Sequence, residues 1–169
     1  MFQNILAAVD GSENADRALA DAVDLSACAQ ARLTIFVAAV KPPPFAYWAP
    51  AGTAGLLESA QSDADRIAAD ARDLVQDRVS VACIVSTAPV RQSLIRQILD
   101  GQHDLVVMDS RGRGAVDSVV LGSVSQYVLY HSPIPVLLVH ATSAAQDEPS
   151  DVGNRTLRPK LCHRMHIPL

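Results

Sequence analysis

Five short apolar runs alternate along the chain with four stretches in which apolar residues recur at helical spacing. The runs lie at residues 4–10, 31–40, 78–87, 104–108 and 135–140. The helical stretches run from Ala15 to Val23, Leu57 to Val75, Val90 to Leu99 and Val120 to Val128. The first pattern is typical of strands buried on both faces, and the second of amphipathic helices. The chain therefore predicts the element order β-α-β-α-β-α-β-α-β.

This order predicts an α/β fold with a five-stranded parallel, doubly wound sheet and helices on both faces. Ligands of such sheets bind outside the carboxyl ends of the strands, where the strand order switches. Three segments fall on that edge: Asp10-Gly11-Ser12, the segment around Ala38, and the glycine-rich turn at residues 109–126. Glycines after a buried strand let the backbone turn tightly and present N–H groups to an anion. We expect a ligand site here; a mobile surface turn is the alternative.

Composition narrows the class of protein. The chain has 169 residues, of which 49% are apolar, enough for one compact domain with its own core. The formal charge is −4 and no basic run precedes the last fifteen residues, so nucleic acid is not expected as a partner. The N-terminus lacks a basic leader pattern, and no apolar run approaches the roughly eighteen residues of a membrane span. We therefore expect a soluble, cytoplasmic protein with no membrane partner.

The last part of the chain differs from the rest. Residues 141–169 show no apolar periodicity and have a basic second half. We interpret residues 1–140 as the domain and residues 141–169 as a disordered or loosely docked tail. The sequence "CHRMH" in this tail offers a thiol and two imidazoles, but such a cluster at a chain end is more often incidental, and no metal site is predicted.

The three cysteines are odd in number, widely spaced and without a CxxC pairing, which argues against a disulfide framework or a cysteine-rich zinc site. Cys28 and Cys83 are expected to be small core residues.

Three stretches, "NILAAVDGS", "DLVVMDSRGRG" and "LGSVSQYVLYHSPIPVLLV", together with their spacing, resemble the universal stress protein family of the single-domain bacterial type. The resemblance covers about residues 1–140. It implies a Rossmann-like fold of the adenine nucleotide alpha hydrolase-like type. It also implies a homodimer in which the last strand, Pro135 to His140, pairs with its mate across a two-fold axis.

The nucleotide-binding branch of that family carries Gly-x-x-Gly, nine residues, and then Gly-Ser or Gly-Thr. Gly112 and Gly122-Ser123 match this motif, whereas Asp109 stands in place of its first glycine. The resemblance implies that Asp10 lies beside the adenine and ribose and that the backbone of Ala38 meets the adenine edge. It further implies that the phosphates are surrounded by Gly112, Gly122, Ser123 and the N–H of Val124.

Elementary physics supports the phosphate part, because the free N–H groups and dipole at a helix start favour an anion. Asp10 and Ser123 are also ordinary helix-capping residue types, so a purely structural role is the alternative for each.

Asp109 leaves two outcomes open. A carboxylate about 5 Å from a phosphate charge costs roughly 3 kcal/mol at an effective dielectric of about 20, or about a hundredfold in affinity. If it faces the ribose instead, it can accept from the sugar hydroxyls and assist binding. Arg111 and Arg113 beside it could neutralise it or bind a phosphate, or could be solvated surface arginines.

The leading hypothesis is a cytoplasmic stress-response protein that binds ATP or another adenine nucleotide, with or without Mg²⁺, and acts as a ligand-controlled dimeric interaction module. The alternative, which Asp109 motivates, is a nucleotide-free structural or partner-binding protein. Catalysis is less favoured, at most slow ATP hydrolysis. The sequence has no Walker A lysine motif and no evident Ser-His-Asp or Cys-His set, and none of its five histidines flanks the glycine-rich turn.

Overall fold

A computed structural model describes residues 1–39, 53–75, 78–111 and 121–140. The strands are β1 (Asn4–Val9), β2 (Arg32–Ala38), β3 (Val81–Ser86), β4 (Leu105–Asp109) and β5 (Val136–Val139). The helices are α1 (Glu13–Ala29), α2 (Thr53–Val75), α3 (Val90–Asp100) and α4 (Ser123–His131). The predicted order of elements is confirmed.

Within the described residues the five strands form one parallel sheet in the order β3-β2-β1-β4-β5. The chain winds from β1 outward to β3, then crosses back to β4 and continues to β5. The strand order therefore switches between β1 and β4. The doubly wound α/β fold predicted from the sequence is confirmed.

Helices cover both faces of this sheet. Alternate residues of β1 point to opposite faces, so Ile5 packs with α1 and α2 while Leu6 packs with α3 and α4. All five residues of β4 are buried, as expected for a central strand covered on both sides. The sheet is therefore packed against apolar side chains on both faces.

Helix α1 begins with a side-chain cap. Ser12 is its N-cap, and its Oγ accepts from the N–H of Ala15 at 3.2 Å. This bond satisfies one of the free donors of the first turn. The helix ends at Gln30, which adopts a left-handed conformation with φ of 54°.

Some sequence expectations about individual residues are wrong. Leu74 and Leu99 belong to the predicted apolar stripes of α2 and α3, but their side chains are exposed. Cys28 is exposed on α1 and disulfide-bonded, so it is not a core residue. Cys83 does pack, half-buried, against the core on the α1 and α2 side. Burial raises the pKa of its thiol, although Arg72 acts in the opposite direction.

In the part of the chain that the structure describes, no helix has both the length and the apolar character needed to cross a membrane. The predicted tail at residues 141–169 lies outside the described residues.

Candidate functional site

The candidate site lies at the carboxyl edge of the sheet, around the switch between β1 and β4. Ala8 of β1 pairs with Phe36 on one side and with Met108 on the other. Because these strands are aligned and parallel, Asp10, Ala38 and Asp109 follow at nearly the same level. The structure thus brings together three segments that are far apart in the sequence.

Asp10 lies in the turn between β1 and α1. Its Oδ1 accepts from the backbone N–H of Ser12 at 3.0 Å and from the Ser12 hydroxyl at 2.7 Å. Gly11 between them has φ of 78°, a conformation that glycine adopts without steric cost. Asp10 therefore orients the residue that caps α1, which is a structural role alongside the one that the resemblance implies.

The start of α1 is acidic. Burial raises the pKa of Asp16, and the negative charges of Asp10, Asp70 and Glu13 raise it further. Several carboxylates therefore lie close together on the β1 side of the site.

Asp109, the last residue of β4, is buried, with 6% of its surface exposed. Its Oδ2 accepts from the backbone N–H of Arg111 at 3.0 Å. Its carbonyl oxygen accepts from the Ser125 hydroxyl of α4 at 2.8 Å. The side chain that replaces the first glycine of the motif is thus bonded to the turn that follows it.

Gly122 joins this turn to α4. Its N–H donates to the carbonyl of Ser110 at 2.8 Å. A Cβ at Gly122 would overlap the carbonyl oxygen of Arg111, so only glycine allows the helix to approach the turn so closely.

Helix α4 starts without a side-chain cap, since Gly122 is its N-cap. Ser123 is the first helical residue and is exposed, and Val124 is half-buried against the core on the α3 side. Ser123 is therefore not the N-cap. The free N–H groups of the first turn and the helix dipole make this end suited to an anion.

His140 directly follows β5 and contacts the turn after β4. Its Nδ1 lies 2.9 Å from the Ser110 hydroxyl oxygen, and its Nε2 lies 3.1 Å from Arg111 Nη2. A guanidinium only donates hydrogen bonds. Nε2 must therefore be the acceptor, so Nδ1 carries the proton and donates to Ser110. In this arrangement the imidazole is not a base for the Ser110 hydroxyl.

His140, Ser110 and Ser125 were missed in the sequence, where no histidine flanks the glycine-rich turn. The strand order brings His140 to Ser110, because β5 lies next to β4 and Asp109 pairs with Val139. The residue after β5 then necessarily lies beside the residue after β4.

The other predicted site residues lie as follows. Ala38 is half-buried at the end of β2 and pairs with Ser86 of β3. Gly112 and Arg113 lie outside the described residues. Within the described ranges, no three His, Cys, Asp or Glu side chains are grouped so that they could hold a metal ion.

Comparison with known sequences identifies the family. A sequence model of the universal stress protein family matches residues 1–140. A universal stress protein of Thermus aquaticus is 36% identical over 139 residues, which cover 82% of this chain and 99% of that protein. One of Mycolicibacterium smegmatis is 31% identical over 147 residues, covering 83% of this chain and 49% of that protein. The chain belongs to the universal stress protein family, which confirms the resemblance.

Solved structures share the fold. Universal stress protein UspA of Lactobacillus plantarum superimposes with a TM-score of 0.66 at 26% identity, covering 81% of this chain and 97% of that one. A universal stress protein in complex with cAMP gives a TM-score of 0.60 at 26% identity, covering 83% and 99%.

Proposed function

We propose that this stress protein is cytoplasmic, binds ATP or another adenine nucleotide at the carboxyl edge of the sheet, and acts as a ligand-controlled dimeric interaction module. The observation that carries the proposal is the uncapped start of α4 at Gly122 and Ser123, which lies at the strand-order switch together with Asp10. In this proposal Asp10 and the backbone of Ala38 contact the nucleoside. The phosphates are bound by Gly112, Gly122, Ser123 and Val124.

Two further observations support nucleotide binding. The switch between β1 and β4 is where doubly wound sheets bind their ligands. A family member of the same fold, at 26% identity, was solved in complex with cAMP. An adenine nucleotide with or without Mg²⁺ is therefore the proposed ligand class. Binding, with at most slow ATP hydrolysis, is the proposed activity.

Asp109 decides between this function and its alternative. Its carboxylate accepts the Arg111 N–H, a backbone donor at the edge where the phosphates would bind. A buried carboxylate here adds a negative charge close to the phosphates and uses a donor of the turn. This observation favours the second candidate function, a nucleotide-free partner-binding protein.

The proposed dimer forms through β5, which is an edge strand of the sheet. Leu137 at its centre is 39% exposed. An unpaired apolar edge strand needs cover, and a second copy of β5 provides it.

The first experiment is analysis of the small molecules released when the purified protein is denatured, followed by calorimetric titration with Mg-ATP. Wild-type protein, Asp109→Gly and Asp109→Asn are compared. We expect the wild type to bind. We expect both variants to bind more tightly, up to about a hundredfold if the full phosphate repulsion is removed. Asp109→Asn keeps an acceptor for the Arg111 N–H and so isolates the effect of the charge.

Asp73→Asn is the matched control, since it removes one exposed negative charge from α2 and should leave affinity unchanged. Binding by Asp109→Gly alone would show that the wild type is a nucleotide-free protein with a blocked site. No binding by any variant would refute the nucleotide proposal.

A further inference from the structure

The backbone of Arg111 lies at the junction between β4 and α4. The carbonyl oxygen of Arg111 lies against Gly122, and the carbonyl oxygen of Ser110 accepts the Gly122 N–H. The first N–H groups of α4 are offered at this same junction without a side-chain cap. An anion held by the start of α4 would therefore lie next to the backbone of Arg111, a residue whose side chain carries a permanent positive charge.

The guanidinium of Arg111 is anchored. Its Nη2 donates to His140 Nε2 at 3.1 Å, while its Nε is buried and has no hydrogen-bond partner among the described residues. A guanidinium has five N–H donors, so the contact with His140 leaves donors for an anion. A side chain already held in place loses less conformational entropy when it binds.

The other end of the imidazole is held by the sheet. Its Nδ1 is bonded to the hydroxyl of Ser110, which is buried and whose own N–H donates to the carbonyl of Val139 at 3.1 Å. His140 thus links Arg111 to the paired ends of β4 and β5. A neutral imidazole suits this link because it donates at one nitrogen and accepts at the other.

We propose that His140 is a positioning residue that holds Arg111 as the phosphate-binding cation of the nucleotide site. The inference rests on the proposed nucleotide binding and assigns the residues that give that site its positive charge. It predicts that both residues raise the affinity for ligands that carry phosphates and do not change the affinity for the nucleoside alone.

The test is a double-mutant cycle of Arg111→Ala and His140→Ala, measured by calorimetry with Mg-ATP, adenosine and inorganic tripolyphosphate. Arg111→Ala should weaken ATP about ten- to hundredfold, as expected for a charge-assisted hydrogen bond. His140→Ala should weaken it about three- to tenfold. The double variant should bind ATP no more weakly than Arg111→Ala, because His140 acts through Arg111. Adenosine affinity should change less than twofold throughout.

Rescue and controls separate positioning from a general structural role. His140→Gln keeps an acceptor for Arg111 and a donor for Ser110, so it should retain ATP affinity within about threefold. Two control variants remove the same residue types elsewhere: Arg32→Ala at the amino edge of the sheet and His131→Ala at the far end of α4. Neither should change the affinity for ATP. Should His140→Ala unfold, His140→Phe, which fills the space without an acceptor, replaces it in the cycle.

Equal loss of ATP and adenosine affinity, additive effects in the double variant, or failure of His140→Gln to rescue would each overturn the inference. ATP binding that His140→Ala leaves unchanged would overturn it while the proposed function stands. Tripolyphosphate binding that depends on both residues, without ATP binding, would overturn the proposed function while the cation assignment stands. A wild type that binds none of the three probes would overturn both.

Discussion

At the scale of single residues, His103 shows how burial controls charge away from the candidate site. It precedes β4, at the amino edge of the sheet, and 7% of its surface is exposed. Burial lowers the pKa of His103, and the backbone of Asn4 and the negative charge of Asp104 offset this only in part. The folded state therefore disfavours the protonated imidazole.

This lowered pKa predicts acid sensitivity of the fold. The contribution of His103 to stability is complete above the pKa of the unfolded state, near 6.5. It is lost as the pH falls toward the lower folded-state pKa, because the unfolded chain then binds a proton more tightly. Urea unfolding between about pH 7.5 and 5 should show a smaller decline in His103→Gln than in the wild type.

His131→Gln is the control, since it removes an exposed histidine from α4. Parallel profiles for His103→Gln and the wild type would contradict the prediction.

At the scale of elements, the start of α4 depends on one close approach. Gly122 lets the helix come within hydrogen-bond distance of Ser110 while its Cα faces the carbonyl of Arg111. A methyl group here must displace either the helix or the turn.

Gly122→Ala should therefore lower the free energy of unfolding by about 1–3 kcal/mol, the usual cost of forcing extra atoms into a packed site. It should also weaken nucleotide binding, because the N–H groups of α4 move away from the turn. Chemical denaturation and Mg-ATP titration measure the two effects.

Gly55→Ala is the matched control. Gly55 lies in α2 with open space where its Cβ would be, so alanine should raise stability by about 0.5–1 kcal/mol. Equal stability of Gly122→Ala and the wild type would show that the close approach is not required.

The elements themselves could be predicted from the sequence, whereas several contacts of the site could not. Short apolar runs predicted each strand, and the helical spacing of apolar residues predicted each helix. The pairing of His140 with Arg111 was not readable, because it depends on which strands are neighbours. Nor was the orientation of Asp109, because the sequence left both a phosphate-facing and a ribose-facing carboxylate open and contains no local pattern that indicates its bond to the Arg111 N–H.

At the scale of the whole molecule, the proposed dimer gives β5 a function beyond the fold. Leu137 is apolar and partly exposed on this edge strand. If a second copy covers it, a charge at this position must be buried twice in each dimer, which is unfavourable.

Leu137→Glu should therefore weaken dimerisation at least tenfold, measured by light scattering after size exclusion over a range of concentrations. Leu129→Glu is the control, because Leu129 has a similar exposure of 44% but lies on α4. A monomeric wild type, or equal effects of both variants, would contradict dimerisation through β5.

The strand order also affects how the chain is made. β1 is the central strand of the sheet, and one of its two neighbours is β4, which comes much later in the chain. Ile5 of β1 pairs with Leu105 of β4. During synthesis at about 5–20 residues per second, roughly 5–20 s pass before β4 emerges to pair with β1. Over that interval the nascent chain carries an apolar strand with an open edge, the kind of surface on which chains aggregate. Until β4 has emerged, the central strand therefore lacks one of its two neighbours, and the nascent chain is exposed to aggregation through that edge.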